Sequence, residues 1–356
     1  MNTSSSVSIE NSVFQNRINK NCFDFLRMFF AFNILLAHLS VLSQNSSLVF
    51  ILKWVSAHLS IQGFFVISGF LVSKSYLNTD TLKKYFIKRI KRIIPAYAIV
   101  ILLAAIGFSV LSTYSLSDYY LNSQWFKYIG WNLVFLNFMQ PCLPGLFEHH
   151  HLECAVNGSL WTLKVEEGFY LVLPVIFFII SRLKNTWIVL IVLYISSILF
   201  MYLMEDVLAY PLIAKQLPGY ICYFVTGTGL YLGFEFFIKH QLLLFLVAVS
   251  LLIISYIYPL KIDFLFPASF GTLVILSAYN IPFLNHFGKY GDFTYGLYIY
   301  HYPIIQTFRE LDLFDRYNPF VMSGVIILLS IIFALLSWFL VEKRFLDRYH
   351  KVGSGS

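Results

Sequence analysis

The sequence predicts an all-α polytopic membrane protein of about ten transmembrane helices, with both termini in the cytoplasm. Three observations predict it. Of 356 residues, 58% are hydrophobic and only 12% charged, with a mean hydropathy of +0.72; soluble domains carry about 25% charged residues. Ten apolar segments recur near 22–42, 58–77, 93–113, 168–183, 185–204, 217–238, 241–260, 264–280, 293–311 and 320–341, several of them shorter than the roughly 20 residues a spanning helix usually has. With the N-terminus inside, 18 of the 25 Lys and Arg fall in inner segments, the asymmetry that sets orientation. The net charge of +7 is thereby a matter of topology and anionic membrane lipid, and no nucleic-acid partner is expected. The expected organisation is a polar tail over 1–21, a membrane domain over 22–345 with an extracytoplasmic loop at 114–167, and a tail over 346–356 whose closing VGSGS reads as a linker remnant. No cleavable signal peptide is read at the start, and no internal repeat.

The first span, CFDFLRMFFAFNILLAHLSVL, carries Asp24, Arg27, Asn33 and His38. A charge near the bilayer centre costs roughly 2.5–3.5 kcal/mol on insertion scales, a cost a plain anchor would avoid. Arg27 and His38 are eleven positions apart, a net rotation of about 20° and a rise of about 16 Å on a helix. One stripe thus holds a cation near one surface and an imidazole deeper in. Imidazole is the side chain most readily tuned to take a proton near neutral pH. The plainer alternative is a snorkelling Arg and a His bonded to a neighbour.

In the second span, Gly63 and Gly69 flank FFVIS and suit close helix approach. Ser68 can donate to a ligand oxygen or to its own helix. The run KKYFIKRIKRIIP at 83–95 is first a basic anchor on anionic lipid. Arg89 and Arg92, three apart on a helix, can alternatively grip a phosphate together. In the outer loop, Cys142 and Cys154 can pair if the location is oxidising; Cys22 and Cys222 sit in apolar segments as packing residues. The triplet Asn157-Gly158-Ser159 matches a glycosylation acceptor, a short and incidental match. Trp161 and Glu166 open the fourth span from outside. A carboxylate and an indole contact sugars, and equally serve as interfacial anchor and helix-start charge. Glu148, His149, His150, His151 and Glu153 lack the spacing of metal ligands, and no metal is expected. The ninth span holds Asp292, Thr294, Tyr295, Tyr298 and His301, with Pro303 as a kink.

In order, FDFLRMFFAFNILLAH with Arg27 and His38, FFVISG at 64–69, RIKR at 89–92, SLWTLKVEEGFY at 159–170, TYGLYIYHYP at 294–303 and VEKRF at 341–345 resemble the acyltransferase 3 family of membrane acyltransferases. The resemblance covers about 22–345, with Thr162 where Ser is common and no Pro after Lys343. It implies about ten helices in a bacterial cytoplasmic (inner) membrane. It also implies acyl transfer from cytosolic acyl-CoA, commonly acetyl-CoA, to a hydroxyl of a surface polysaccharide such as lipopolysaccharide or capsule, or its lipid-linked oligosaccharide precursor. Some members carry a fused SGNH domain; this chain is expected to be a stand-alone form.

On this reading Arg27, Arg89 and Arg92 hold the CoA phosphates, with Asp24 supporting Arg27. His38 is the general base, and Ser68, Asn33 or Tyr298 stabilises the oxyanion. Trp161, Glu166 and His301 orient the acceptor. Direct transfer and an acyl-His intermediate are both open, and no oligomeric state is read. The competing class is a transporter or flippase of a lipid-linked sugar, which would also need intramembrane His, Arg and Tyr.

Overall fold

Uninterrupted apolar sequence should form helices, because in lipid every backbone polar group must be satisfied within the segment. The computed structural model describes residues 17–148, 154–258 and 263–346. Its described regular structure is α, 3-10 and π helix throughout. The long helices are α1 (Phe23–Leu42), α2 (Ala57–Leu77), α3 (Leu82–Gly107), α4 (Ser123–Leu133), α5 (Trp161–Leu183), α6 (Thr186–Tyr202), α7 (Leu217–Leu232), α8 (Gln241–Ile257), α9 (Phe266–Asn280), α10 (Thr294–Glu310) and α11 (Pro319–Ser337). Each of the ten apolar segments falls on one of these helices.

By length and composition, four stretches can cross a membrane: Arg17–Leu42, Leu82–Val110, Thr186–Val207 and Pro319–Phe345. Two bent pairs, Ser46–Lys53 with Ala57–Leu77 and Phe266–Asn280 with Pro282–Lys289, raise the count to six if each is one span. Helix α6 shows the membrane character directly. Ile188, Ile191, Val192, Ile195 and Leu199 are exposed along one face, while Val189, Leu190 and Ile198 on the other are buried. A helix apolar all round belongs in lipid or a large core.

Boundaries follow local chemistry. The Thr81 side chain accepts from Lys84 N, capping α3 so that the basic run 83–92 forms its first turns rather than a separate segment. Helix α5 begins at Trp161, which puts Glu166 in its second turn instead of at its mouth. Helix α7 stops at Gly233, earlier than the hydropathy suggests, and a six-residue helix, Phe234–Lys239, follows.

The chain divides into two compact units. One comprises Met1–Arg27, Gln62–Asp80 and Gly168–Tyr290. It is built on aromatic contacts: Phe70 packs on Phe23, Phe234 and Tyr279, and Phe169 lies between Phe65 and Phe224. Here α2 and α7 touch backbone to backbone. A Cβ on Gly69 would lie 2.0 Å from the Phe224 carbonyl oxygen, and one on Gly227 would lie 2.0 Å from that of Val66. Ser68 is buried in this unit, as are the unpaired Cys22 and Cys222.

The other unit comprises Met28–Ile61, Thr81–Glu167 and Gly291–Ser356. The apolar stretch 125–138, too short to span, supplies α4, which lies along α3: Trp125 Nε1 donates to the Ala105 carbonyl (2.9 Å) and Tyr97 Oη to that of Asn132 (2.8 Å). Cys142 and Cys154 are joined by a disulfide, Cα to Cα 5.4 Å, and Val156 N bonds the Pro141 carbonyl across its base. A core of Leu39, Leu42, Leu48, Tyr302, Ile305, Phe308, Phe314 and Ile326 fixes the end of α1 against α10 and α11. His149, His150, His151 and Glu153 lie outside the described residues.

Candidate active site

The site grows from α10. Every residue from Thr294 to Pro303 is buried, and on a 3.6-residue helix Tyr298, His301, Tyr302 and Ile305 fall along one stripe. Pro303 has no N–H, so the carbonyl four residues back, Ile299, loses its helical partner. A buried orphan carbonyl is costly. Asn157 satisfies it: Nδ2 donates to the Ile299 oxygen at 2.7 Å. Beside it, Ser159 Oγ donates to Asn157 Oδ1 at 2.6 Å. Gly158 is required by proximity, since a Cβ there would lie 2.6 Å from the Tyr302 ring and hydroxyl. Tyr298 Oη donates to the Ser159 carbonyl at 2.8 Å and sits 2.5 Å from Thr162 Oγ1. Gln306, lower on the helix, donates to the Ala155 carbonyl at 2.9 Å, next to the bridged Cys154. The segment 155–162 is therefore a shelf that clamps α10 both before and after Pro303.

His301 occupies the centre of that clamped helix with no exposed surface. Its Nδ1 is 3.0 Å from the Leu297 carbonyl oxygen. Its Nε2 is 2.8 Å from His38 Nδ1. The two rings are within 13° of coplanar at a centroid separation of 5.1 Å. With nitrogens only 2.8 Å apart, they meet end to end rather than face to face. The Tyr302 ring stands edge-on to His38, 5.2 Å away at 80°. His38 itself is half-buried, with its Nδ1 edge held by His301.

A second cluster lies in the same unit. Arg92 Nη2 bonds Asp292 Oδ2 at 2.6 Å, and Nη1 lies 3.9 Å from Glu342 Oε2. Both carboxylates are buried. Glu342 ends a π-helical turn, Trp338–Glu342, and its other oxygen accepts from Ser337 Oγ at 2.9 Å. The Arg92 guanidinium also stands over the Tyr295 ring at 6.0 Å, and Tyr295 Oη donates to the Ile93 carbonyl at 3.2 Å. Arg92 is thus held inside the protein by two acids.

The remaining sequence candidates fall as follows. Arg89, one turn before Arg92 and half-buried, lies over Tyr85 at 5.9 Å and interacts electrostatically with Glu167. Arg27 and Asp24 are 3.9 Å apart, an ion pair without a short hydrogen bond. Asn33 is half-buried on α1, and Trp161 and Glu166 are half-buried on the first turns of α5. The His38 unit therefore contains Asn33, Arg89, Arg92, Trp161, Glu166, Tyr298 and His301; Ser68, Arg27 and Asp24 belong to the other unit. Asn157 and Ser159 stand out in the sequence only as part of an incidental glycosylation triplet, and Asp292 and Glu342 carry no signal of their ion cluster. The available signal for Asn157 was Pro303: a proline inside a buried helix demands a donor for the carbonyl it abandons.

Comparison with known proteins bears on what this arrangement does. The profile of the acyltransferase 3 family, described as an acyltransferase domain, matches residues 20–341. The chain is 28% identical over 342 residues to the "O-acetyl transferase" of Shigella phage Sf6, covering 92% of this chain and 96% of that protein. It is 26% identical over 352 residues to "Nodulation protein 10" of Rhizobium leguminosarum bv. viciae, covering 91% and 93%. An uncharacterized protein of Haemophilus influenzae shares 34% over 119 residues, 32% of this chain and 46% of that one. No solved structure matches. With its apolar helices and a family match across nearly its whole length, the chain is a membrane-bound acyltransferase that belongs to the acyltransferase 3 family.

Proposed function

We propose that the protein transfers an acetyl group from cytosolic acetyl-CoA across the bacterial cytoplasmic membrane to a hydroxyl of a surface polysaccharide or its lipid-linked precursor. The observation that carries this reading is His38, a half-buried imidazole held by His301 at its Nδ1 edge, in a chain of an acyltransferase family. The phage relative's name, O-acetyl transferase, favours acetyl and an oxygen acceptor. His38 takes the proton from the acceptor hydroxyl while that oxygen attacks the thioester carbonyl. The carbon–sulfur bond breaks, and the CoA thiolate leaves with the proton His38 returns. Asn33, in the same unit as His38, is the proposed oxyanion donor. Tyr298, whose hydroxyl already serves Ser159 and Thr162, is assigned to holding the shelf.

Arg89 and Arg92, in the same unit as His38, are the proposed CoA-phosphate residues. Trp161 and Glu166 are proposed for the acceptor. Ten crossings with both termini cytoplasmic suit the Lys and Arg distribution, with 22–345 as the membrane domain. They put the 114–167 loop and its disulfide on the oxidising side. The test is purified protein with labelled acetyl-CoA and a glycan acceptor. Label moves to the acceptor with the native chain and not with His38→Ala, which still binds acetyl-CoA. Transfer at the native rate by His38→Ala removes His38 from the mechanism. Movement of the lipid-linked sugar without acetylation selects the flippase reading instead.

A further inference from the structure

We propose that His301 is a positioning residue that fixes the tautomer of His38, so that the basic lone pair lies on His38 Nε2. The inference rests on the reading of His38 as general base and assigns which of its nitrogens does the work. A carbonyl oxygen can only accept, so the 3.0 Å contact with Leu297 requires the hydrogen of neutral His301 to be on Nδ1. Its Nε2 then carries a lone pair. That lone pair lies 2.8 Å from His38 Nδ1, and nearly coplanar rings aim it along the N–H direction. His38 Nδ1 is thereby the donor, and its hydrogen is committed. The free lone pair of His38 is on Nε2, which has no hydrogen-bond partner among the described residues. A hydrogen bond to one imidazole nitrogen that leaves the other basic is a general device; here a neutral imidazole fills the orienting place that a carboxylate takes in hydrolase triads.

The rest of the clamp serves this chain of bonds. The Leu297 carbonyl that starts it lies two residues before Ile299, whose own carbonyl is capped by Asn157. His301 is two residues before Pro303, and the edge-on Tyr302 ring holds His38 against rotation. During transfer the acceptor proton adds to His38 Nε2. The resulting imidazolium keeps its Nδ1–H, now a stronger donor to His301 Nε2. The Nε2 proton then passes to the departing thiolate. One proton enters and one leaves, and His301 ends as it began.

Three substitutions at 301, assayed in the full-length purified protein, test this. Gln offers a neutral acceptor and should keep kcat within about fivefold, with an unchanged pH–rate profile. Met offers none; kcat should fall at least about tenfold, while the acetyl-CoA dissociation constant stays within about twofold. Glu offers an anionic acceptor. It raises the proton affinity of His38, so the acidic limb of the kcat profile should move to higher pH. The inference is overturned if Met retains native kcat, if Gln is as impaired as Met while both bind acetyl-CoA normally, or if an active Glu variant leaves the acidic limb unmoved. His38→Ala run beside them separates the two levels. If that variant is active, the base reading itself falls; if it is inactive and His301→Met is fully active, only the tautomer assignment falls.

Discussion

Arg92→Met tests the internal ion cluster through stability, while acetyl-CoA affinity reads its proposed part in donor binding. The substitution keeps most of the side-chain volume and removes the charge that faces Asp292 at 2.6 Å and Glu342 at 3.9 Å. Both carboxylates are almost fully buried, so neither can turn to water in compensation. Breaking a buried pair by deleting one partner costs about 3–5 kcal/mol, or two to nearly four decades in the unfolding equilibrium at about 1.36 kcal/mol per decade. The three residues should also rank. Arg92→Met strands two acids and costs most. Asp292→Asn leaves Arg92 with Glu342 at the longer distance and costs less. Glu342→Gln keeps the 2.6 Å pair and costs least, because Coulomb attraction falls with separation. Thermal unfolding of the detergent-purified protein, followed by tryptophan fluorescence, measures the order, with acetyl-CoA affinity measured in parallel. An Arg92→Met protein of native stability but weakened acetyl-CoA binding would refute the internal-clamp reasoning and leave Arg92 as a phosphate ligand alone.

Asn157→Ala strips the donor from the Ile299 carbonyl and should destabilise the protein by about 1–3 kcal/mol. It should also lower kcat by loosening the helix that carries His301; native values for both would show the cap to be dispensable. Gly227→Ala places a methyl 2.0 Å from the Val66 carbonyl. It should cost about 1–3 kcal/mol through overpacking, seen as a lower unfolding temperature than Gly324→Ala, where nothing lies within 4 Å. Replacing both Cys142 and Cys154 with Ser opens a 12-residue loop and should cost about 2–4 kcal/mol. Reduction with dithiothreitol should lower the native chain's stability similarly and leave the double-Ser chain unchanged.

What the sequence makes legible here is local. Apolar runs become helices because lipid leaves the backbone no other choice, and all ten runs coincide with helices. The ends are less readable: Thr81 sets one by capping and Gly233 another as a glycine, on a scale of a few residues. Arg27 and His38 stand out because charge and imidazole in an apolar helix are costly wherever they sit. Their partners do not stand out. His38 meets His301 across 263 positions, Arg92 meets Asp292 across 200, and Asn157 reaches Ile299 across 142. Such pairs carry no periodic signal, because each member satisfies the same local rule alone as it does paired. Pro303 is the exception, since a missing N–H announces that a donor is needed from elsewhere.

The Asn157 contact has a practical consequence for making the protein. Hosts that attach sugars at Asn-x-Ser sites select them in the growing polypeptide, before the interior has closed. Here the amide such a host would modify is the one spent on the Ile299 carbonyl, on a residue only 9% exposed. A glycan attached early would keep this chain from seating on α10. Material from a eukaryotic secretory host should therefore divide into a folded, sugar-free fraction and a glycosylated, inactive one, whereas a bacterial host without that modification would yield a single species.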